Sequence, residues 1–196
     1  MIKNSWKFFT NTQAALDAMY VDCENARESI DLETFIFEVN TETNRFADLL
    51  SRKAKEGVRV RLIVDYMGRV GFAGCKFEKQ MKEAGVEIVV WNPISLWRIT
   101  NFTSWYFRDH RKLLVVDSKV GYTGGVNILD VDYMRRDSQV RLVGPIVSQL
   151  AQSFERMWQN WHEAKFSAFG KPPFEDGMCL LTSSPHRRER HIAREL

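Results

Sequence analysis

The sequence is poor in cysteine and has no long hydrophobic run. Its 196 residues include three cysteines, Cys23, Cys75 and Cys179, which lie far apart and have no histidine at the spacing of a metal site. This excludes a disulfide-stapled miniprotein and favours free thiols in a reducing, intracellular compartment. The longest apolar runs are short, as in Leu113–Val116. This excludes a membrane-spanning helix, which needs about 20 apolar residues. The start, MIKNSWKFF, lacks the apolar core of a secretory signal, so the sequence predicts a cytoplasmic protein.

An excess of charge of one sign is also missing. The net charge is +3, and the last eleven residues carry four arginines against two glutamates, so the body of the chain is nearly neutral. No basic field indicates a nucleic-acid partner. Hydrophobic residues make up 44% and charged residues 27% of the chain. This mix is ordinary for one soluble globular domain and excludes disorder.

Helical and strand patterns alternate in the first half of the chain. Apolar residues recur at helical spacing in three segments, Asn11–Ser29, Thr43–Glu56 and Phe72–Ala84. Runs typical of strands follow them, at Ile30–Glu38, Val58–Asp65 and Val86–Trp91. This rhythm predicts an α/β fold in which helices cover parallel strands.

The second half predicts a hairpin, a further strand and a long helix. These elements are Lys112–Asp117 with Val120–Thr123, then Gln139–Val143, then Pro145 to about Ala164. Residues 171–177 indicate a linker, and Met178–Thr182 indicates the start of another strand. We therefore expect one domain over residues 1–170, and a linker with the start of a second, truncated unit over residues 171–196.

An aromatic segment, Asn92–Asp109, separates the two halves. It contains Trp97, Phe102 and Trp105, with Arg108 near its end. Two interpretations stay open: core-filling aromatics in an irregular loop, or a flap that faces a membrane. Tryptophan and tyrosine favour the bilayer interface, and arginines, including Arg111 just beyond, can contact anionic headgroups. The second interpretation makes Trp105 and Arg108 candidates for substrate binding.

The densest cluster of chemically capable residues follows at once, in DHRKLLVVDSKVGYTGGVN, residues 109–127. His110 and Lys112 are two apart, which places both side chains on one face of a strand. An ammonium group neutralises phosphoryl oxygens, and an imidazole is a nucleophile or proton carrier near neutral pH. The pair therefore suits phosphate chemistry, although a hairpin with exposed polar residues would show the same spacing.

Other residues of the cluster add to this chemistry. Asp117 falls on the opposite face of a regular strand and serves either the site or a turn or inter-strand hydrogen bond. Gly124 and Gly125 let backbone come close to a ligand, and Asn127 offers amide donors to an oxyanion. Glu33 and Asp65 lie on or at the ends of predicted strands, where sites collect in open α/β sheets. Both are candidates to line the site.

The pattern H-x-K-x4-D-x6-G-G-x-N, from His110 to Asn127, closely resembles the HKD signature of the phospholipase D superfamily. The surroundings are similar as well. Three stretches, Val58–Gly68, Ala84–Pro93 and Arg135–Val147, resemble the N-terminal catalytic half of bacterial cardiolipin synthases.

The resemblance implies a fold and a reaction. The fold would be an α/β/α sandwich with a mixed central sheet, one half of a bilobal fold in which two HKD motifs face one phosphodiester. The reaction would be phosphatidyl transfer between phospholipids through a phosphohistidine, without metal or cofactor, at the inner membrane surface. His110 would be the nucleophile or acid/base, and Lys112 and Asn127 would bind phosphate. Asp137 would orient the imidazole, while Asp117 would be more structural than its place in the motif suggests.

The sequence departs from that family in having a single motif. His162, His186 and His191 are not followed by lysine two residues later. We therefore expect a second motif half elsewhere in a longer chain, or a homodimer. Alternative functions are phospholipase D-type hydrolysis, a homodimeric nucleic-acid phosphodiesterase, and an inactive binding domain. The neutral body makes a nucleic-acid substrate unlikely by charge, and the intact motif argues against an inactive domain.

Overall fold

One mixed β-sheet runs through the part of the chain that the computed structural model describes, which comprises residues 3–38, 44–69, 72–93, 108–129, 137–161, 173–174 and 176–182. Its strands are β1 (Ser5–Phe9), β2 (Ser29–Thr34), β3 (Arg59–Asp65), β4 (Glu87–Trp91), β5 (Leu113–Val116), β6 (Val120–Gly124) and β7 (Gln139–Val143). The helices are α1 (Thr12–Glu24), α2 (Asn44–Lys55), α3 (Lys76–Glu83) and α4 (Ile146–Asn160).

The strand order is β1-β7-β6-β5-β2-β3-β4. β2, β3 and β4 are parallel, as the alternating rhythm predicts, whereas β2–β5, β5–β6, β6–β7 and β7–β1 are antiparallel pairs. The expected α/β class with a mixed sheet is confirmed.

Helices cover both faces of the sheet. On one face, residues of α1, α2 and α3 such as Leu16, Leu50 and Met81 pack in one core cluster. On the other face, α4 contributes Leu150 and Phe154 to a second cluster. The local signals are the expected ones: the Asn11 side chain accepts the Ala14 N–H at 2.9 Å and caps α1. The result is a three-layer sandwich with one core on each side.

The strand pairings place the ends of five neighbouring strands at one edge of the sheet. β2 and β3 end there, β5 begins there, β6 ends there and β7 begins there, because β5 and β7 run against their neighbours. The carboxyl ends of strands in open α/β sheets are where binding sites form. The residues that follow or precede these strands are therefore in position to form a site.

The structure differs from the sequence-based expectation at two places. β1 was not expected, and it pairs with β7 at the far end of the chain. In Met178–Thr182, expected to begin a strand, Met178 forms a single β-bridge and the described residues after it continue no strand. Met178 and Leu180 pack against the cluster of α4, and the Leu180 N–H donates to Oε1 of Gln149 at 2.8 Å.

Candidate active site

His110 and Lys112 lie in the extended segment just before β5 and contact the same aromatic ring. The ring centroids of His110 and Phe35 are 4.9 Å apart, and Nζ of Lys112 is 5.4 Å from the Phe35 centroid. His110 is exposed, whereas Lys112 is buried. Nζ of Lys112 donates to the backbone oxygen of His110 at 2.7 Å. The structure thus brings the imidazole and the ammonium together, with the imidazole toward solvent.

Lys112 is a buried cation near two acidic groups. Burial lowers the pKa of Lys112 to about 8, although the negative charges of Asp109 and Asp137 act in the opposite direction. An ammonium with this pKa is largely protonated at neutral pH. A phosphate anion beside it would stabilise the charged form further.

Asn127 is held at its oxygen end. Oδ1 accepts the backbone N–H of Ile36 at 3.0 Å and lies 3.4 Å from the hydroxyl of Thr34. Both partners sit at the end of β2, next to Phe35. Since the oxygen is engaged, the chemistry left to this side chain is donation from Nδ2, as the sequence predicts for an oxyanion ligand.

Because Gly124 and Gly125 have no side chains, the start of β7 and the residues just before it pack closely against them. A Cβ at Gly125 would meet Oδ1 of Asp137 at 2.8 Å, and one at Gly124 would meet the backbone oxygen of Ser138 at 2.4 Å. The Gly125 N–H donates to that same oxygen at 2.8 Å. The expected close approach of backbone therefore brings β7 and Asp137 near the site, and contact of Gly124 and Gly125 with substrate stays a prediction. The negative charge of Asp137 raises the pKa of Lys112, against the larger effect of burial. The expected role of Asp137 in orienting His110 stays a prediction.

Asp117 lies at the opposite end of β5 from His110. Its carboxylate accepts backbone N–H groups from Arg27 at 3.0 Å, Glu28 at 2.8 Å and Ser29 at 2.9 Å. Asp117 and Ser118 have φ of 51° and 53° and form the tight turn between β5 and β6. A catalytic part for Asp117 stays a prediction; in this structure the carboxylate ties the hairpin turn to the start of β2.

We expect Asp117→Gly to lower the free energy of unfolding by about 2 kcal/mol, because three N–H groups lose a charged acceptor. Glycine accepts the positive φ, so backbone strain does not contribute. The hydrogen bonds from Ser29, Glu28 and Arg27 outweigh burial and lower the pKa of Asp117. Because the pKa of Asp117 is lower in the folded than in the unfolded state, its ionised form stabilises the fold at pH values above the unfolded pKa. This stabilisation is lost as pH falls through the folded-state pKa. The difference between variant and wild type, measured by urea unfolding, should therefore shrink below about pH 4.

Ser118→Gly is the matched control for this prediction. It changes the neighbouring positive-φ residue and leaves the carboxylate in place, so we expect no loss of stability. An equal loss in both variants, or a loss independent of pH, would assign the effect to the turn backbone.

Arg111 points into the fold, contrary to the expected contact with headgroups. Its Nη2 donates to Oε2 of Glu33 at 3.1 Å and to Oγ of Ser153, on α4, at 2.8 Å. Glu33 is fully buried. Binding of substrate by Glu33 stays a prediction, and in this structure its carboxyl group faces Arg111.

Asp65 anchors the entry into the motif. It is fully buried at the end of β3 and accepts the backbone N–H of Asp109 at 2.9 Å. Nη1 of Arg108 lies 3.3 Å from Oδ1 of Asp65 and 3.3 Å from the backbone oxygen of Asn92. Binding of substrate by Arg108 stays a prediction, and Trp105 lies outside the described residues.

Three residues of the site were missed from the sequence. Phe35 reads as one of several strand aromatics, and nothing in its local pattern indicates that it leaves β2 to meet His110. Asp109 reads as the last residue of the aromatic segment. Ser153 reads as a small residue on an amphipathic helix. Their roles depend on pairings between distant segments, which a linear pattern does not report.

Among the residues that the structure describes, no group of three histidine, cysteine, aspartate or glutamate side chains is placed to hold one metal ion. None of the helices in those same ranges combines the length and the apolarity needed to cross a bilayer.

Comparison with known sequences gives a consistent set of relatives. Residues 21–158 match the family described as "Cardiolipin synthase, PLD-like domain". A cardiolipin synthase of Oceanobacillus iheyensis is 34% identical over 203 aligned positions, covering 96% of this chain and 41% of that protein. Cardiolipin synthase A of Edwardsiella ictaluri is 29% identical over 164 positions, covering 80% and 34%. The chain thus spans about two fifths or less of these curated relatives.

Solved structures share the fold at lower identity. A phospholipase D family member, Nuc from Salmonella typhimurium, superposes with a TM-score of 0.62 at 18% identity, covering 83% of this chain and 96% of that one. Phosphatidylserine synthase from Haemophilus influenzae gives 0.53 at 16% identity, covering 81% and 39%. The common element is the mixed sheet between helical layers.

Proposed function

Because the chain belongs to the cardiolipin synthase, phospholipase D-like domain family, we propose that it carries one catalytic motif of an enzyme that transfers phosphatidyl groups between phospholipids. The observation that supports this most directly is the exposed imidazole of His110 beside the buried ammonium of Lys112. A nucleophile open to solvent next to a fixed cation is what attack on an anionic phosphodiester requires.

The proposed reaction has two displacements. In the first, a nitrogen of His110 bonds to phosphorus, the bond from phosphorus to the leaving alcohol breaks, and a second imidazole donates a proton to that alcohol. In the second, the same imidazole takes a proton from the incoming hydroxyl, whose oxygen bonds to phosphorus as the bond to His110 breaks. Lys112 and the Nδ2 group of Asn127 would bind the phosphoryl oxygens. They are preorganised for this, since each is already fixed by backbone contacts.

The direct test is to incubate a dimeric preparation of the 196-residue chain with vesicles of phosphatidylglycerol, whose headgroup hydroxyls make it donor and acceptor at once. Formation of cardiolipin and glycerol, followed by mass spectrometry and unaffected by excess EDTA, is the expected result. Phosphatidic acid as the main product would replace transfer by phospholipase D-type hydrolysis. Loss of activity in EDTA with recovery on adding metal would overturn the phosphohistidine route.

The pH profile gives a separate prediction. The lowered pKa of Lys112, about 8 because of its burial, means that the free enzyme loses this cation as pH rises through 8. We expect kcat/KM to fall there, since this ratio reports ionisations of the free enzyme. Lys112→Arg stays charged and should move the alkaline limb upward while lowering the rate, because a guanidinium does not reproduce the ammonium position. A limb at the same pH in both proteins would remove Lys112 as its cause.

We also propose that the aromatic segment holds the protein at the surface of the inner membrane. Its residues Trp97, Phe102 and Trp105 lie outside the described ones, so this proposal rests on composition and on the closeness of the segment to His110 along the chain. Replacing the three by serine should weaken co-sedimentation with anionic vesicles. Trp6→Ser is the matched control, because Trp6 is 63% exposed on β1. Equal weakening in both would indicate nonspecific adsorption.

A further inference from the structure

Two buried carboxyl groups next to His110 have no task in the reaction described above. Glu33, at the penultimate position of β2, is 0% exposed, and Asp109, which directly precedes His110, is 1% exposed. Buried carboxylates are costly unless they are paired and hydrogen-bonded.

Arg111 satisfies one oxygen of each carboxyl group. Its side-chain Nη2 donates to Oε2 of Glu33 at 3.1 Å, and its backbone N–H donates to Oδ1 of Asp109 at 3.1 Å. The other two oxygens, Oε1 of Glu33 and Oδ2 of Asp109, are buried and meet no donor among the described residues. Arg111 thus donates to both carboxyl groups, and one oxygen of each carboxyl group has no hydrogen-bond donor among the described residues.

We propose that Glu33 and Asp109 share one proton at neutral pH, and that this acid pair positions His110 in the reaction proposed above. Glu33 carries the proton and donates it to Oδ2 of Asp109. A single proton satisfies both remaining oxygens and leaves one negative charge opposite Arg111.

The electrostatics agree with this placement of the proton. Burial raises the pKa of Glu33 well above its ordinary value, Arg111 lowers it, and the charge of Asp109 together with a hydrogen bond to it raises it again. Lys112 is a second cation that acts on this pair, through its charge interaction with Asp109. Further charged groups among the described residues pair with one another, in the Asp65–Arg108 pair and the Asp31–Arg61–Glu155 cluster.

The pair fixes the backbone on both sides of the nucleophile. Asp109 is tied to Asp65 through its N–H and to Glu33 through the shared proton, while Arg111 is tied to Glu33 and Ser153. His110 stands between them with its ring exposed. Loss of the proton would set two carboxylates against each other and displace Asp109, and with it the imidazole.

Infrared spectroscopy of the full 196-residue chain at pH 7 tests the shared proton without any assay of turnover. We expect the C=O stretching band of a protonated carboxylic acid, shifted by labelling glutamate carboxyls with ¹³C and not by labelling aspartate. The labelling separates Glu33 from Asp65, whose pKa burial also raises.

Two amide variants complete this test. Glu33→Gln removes the acid. Asp109→Asn offers Glu33 an amide donor, so Glu33 ionises against Arg111, and the band should vanish in both variants. A wild-type protein without the band, or Asp109→Asn with the band intact, would overturn the proposal.

Turnover then tests the positioning role. Glu33→Ala should lower kcat by about tenfold to a hundredfold with little change in KM, because misplacing the nucleophile affects chemistry more than binding. Glu33→Gln, which keeps the donor, should restore most of the lost kcat. Equal kcat in the two variants, or a loss confined to KM, would refute positioning. If the chain shows no phosphatidyl transfer at all, the proposed function fails while the infrared result still decides the shared proton.

Discussion

Replacing His110 by alanine is expected to reduce phosphatidyl transfer by at least about a thousandfold, because the residue that bonds to phosphorus is removed. His110 is exposed, so the free energy of unfolding should change by less than about 0.5 kcal/mol. Turnover and urea unfolding measured on the same preparation separate the two effects. Acid-labile phosphate attached to the protein, trapped during turnover, should be present in the wild type and absent in His110→Ala.

Lys119→Ala is the control for this experiment. Lys119 is an exposed residue in the turn at the opposite end of β5 from His110, and its ammonium pairs with Glu28 at 2.9 Å. Its removal should leave turnover at the wild-type level. If His110→Ala also stayed within about tenfold of wild type, a covalent step on this residue would be excluded, since such a step contributes far more.

A monomeric preparation of this chain is expected to be nearly inactive, and a two-fold dimer active. Each displacement needs an attacking group and a proton donor on opposite sides of phosphorus, and the sequence holds one HKD motif. The second imidazole must come from another copy of the chain or from further polypeptide. Light scattering and turnover measured across a dilution series should show activity per chain falling as the dimer dissociates.

Subunit mixing makes this prediction sharper. Adding about tenfold excess of His110→Ala chain should lower activity per wild-type chain about tenfold, because most wild-type chains then have an inactive partner. Adding Lys119→Ala chain in the same amount should not lower it. Robust turnover by a strictly monomeric sample, unaffected by mixing, would mean that one motif suffices.

The parallel core could be predicted from sequence because its signals are local. β3 and β4 are rich in valine and isoleucine, and a glycine lies shortly after each of the helices α2 and α3, so the order of elements could be predicted along the chain. β1 was missed because only Phe9 of its five residues is buried. Its pairing with β7 depends on residues more than a hundred positions away, and no local pattern encodes that contact.

The site also has features that local spacing predicts and features that depend on strand pairing. The spacing of His110 and Lys112 indicated a shared face, and both contact Phe35. The direction of Arg111 could not be predicted, since a basic residue beside an aromatic segment suggests an anionic surface. Its inward direction follows from Glu33 on β2, and β2 becomes its neighbour only through the β2–β5 pairing.

The pairing of β1 with β7 also bears on the order in which the protein folds during synthesis. The ribosome makes Ser5–Phe9 before the rest of the sheet, and its hydrogen-bonding partner, Gln139–Val143, emerges only after most of the domain has been translated. Until then Trp6 and Phe8 belong to an unpaired strand in a nascent chain, and an unpaired strand is prone to pair with other chains. A chaperone bound near the exit tunnel would therefore protect β1 until β7 has been made.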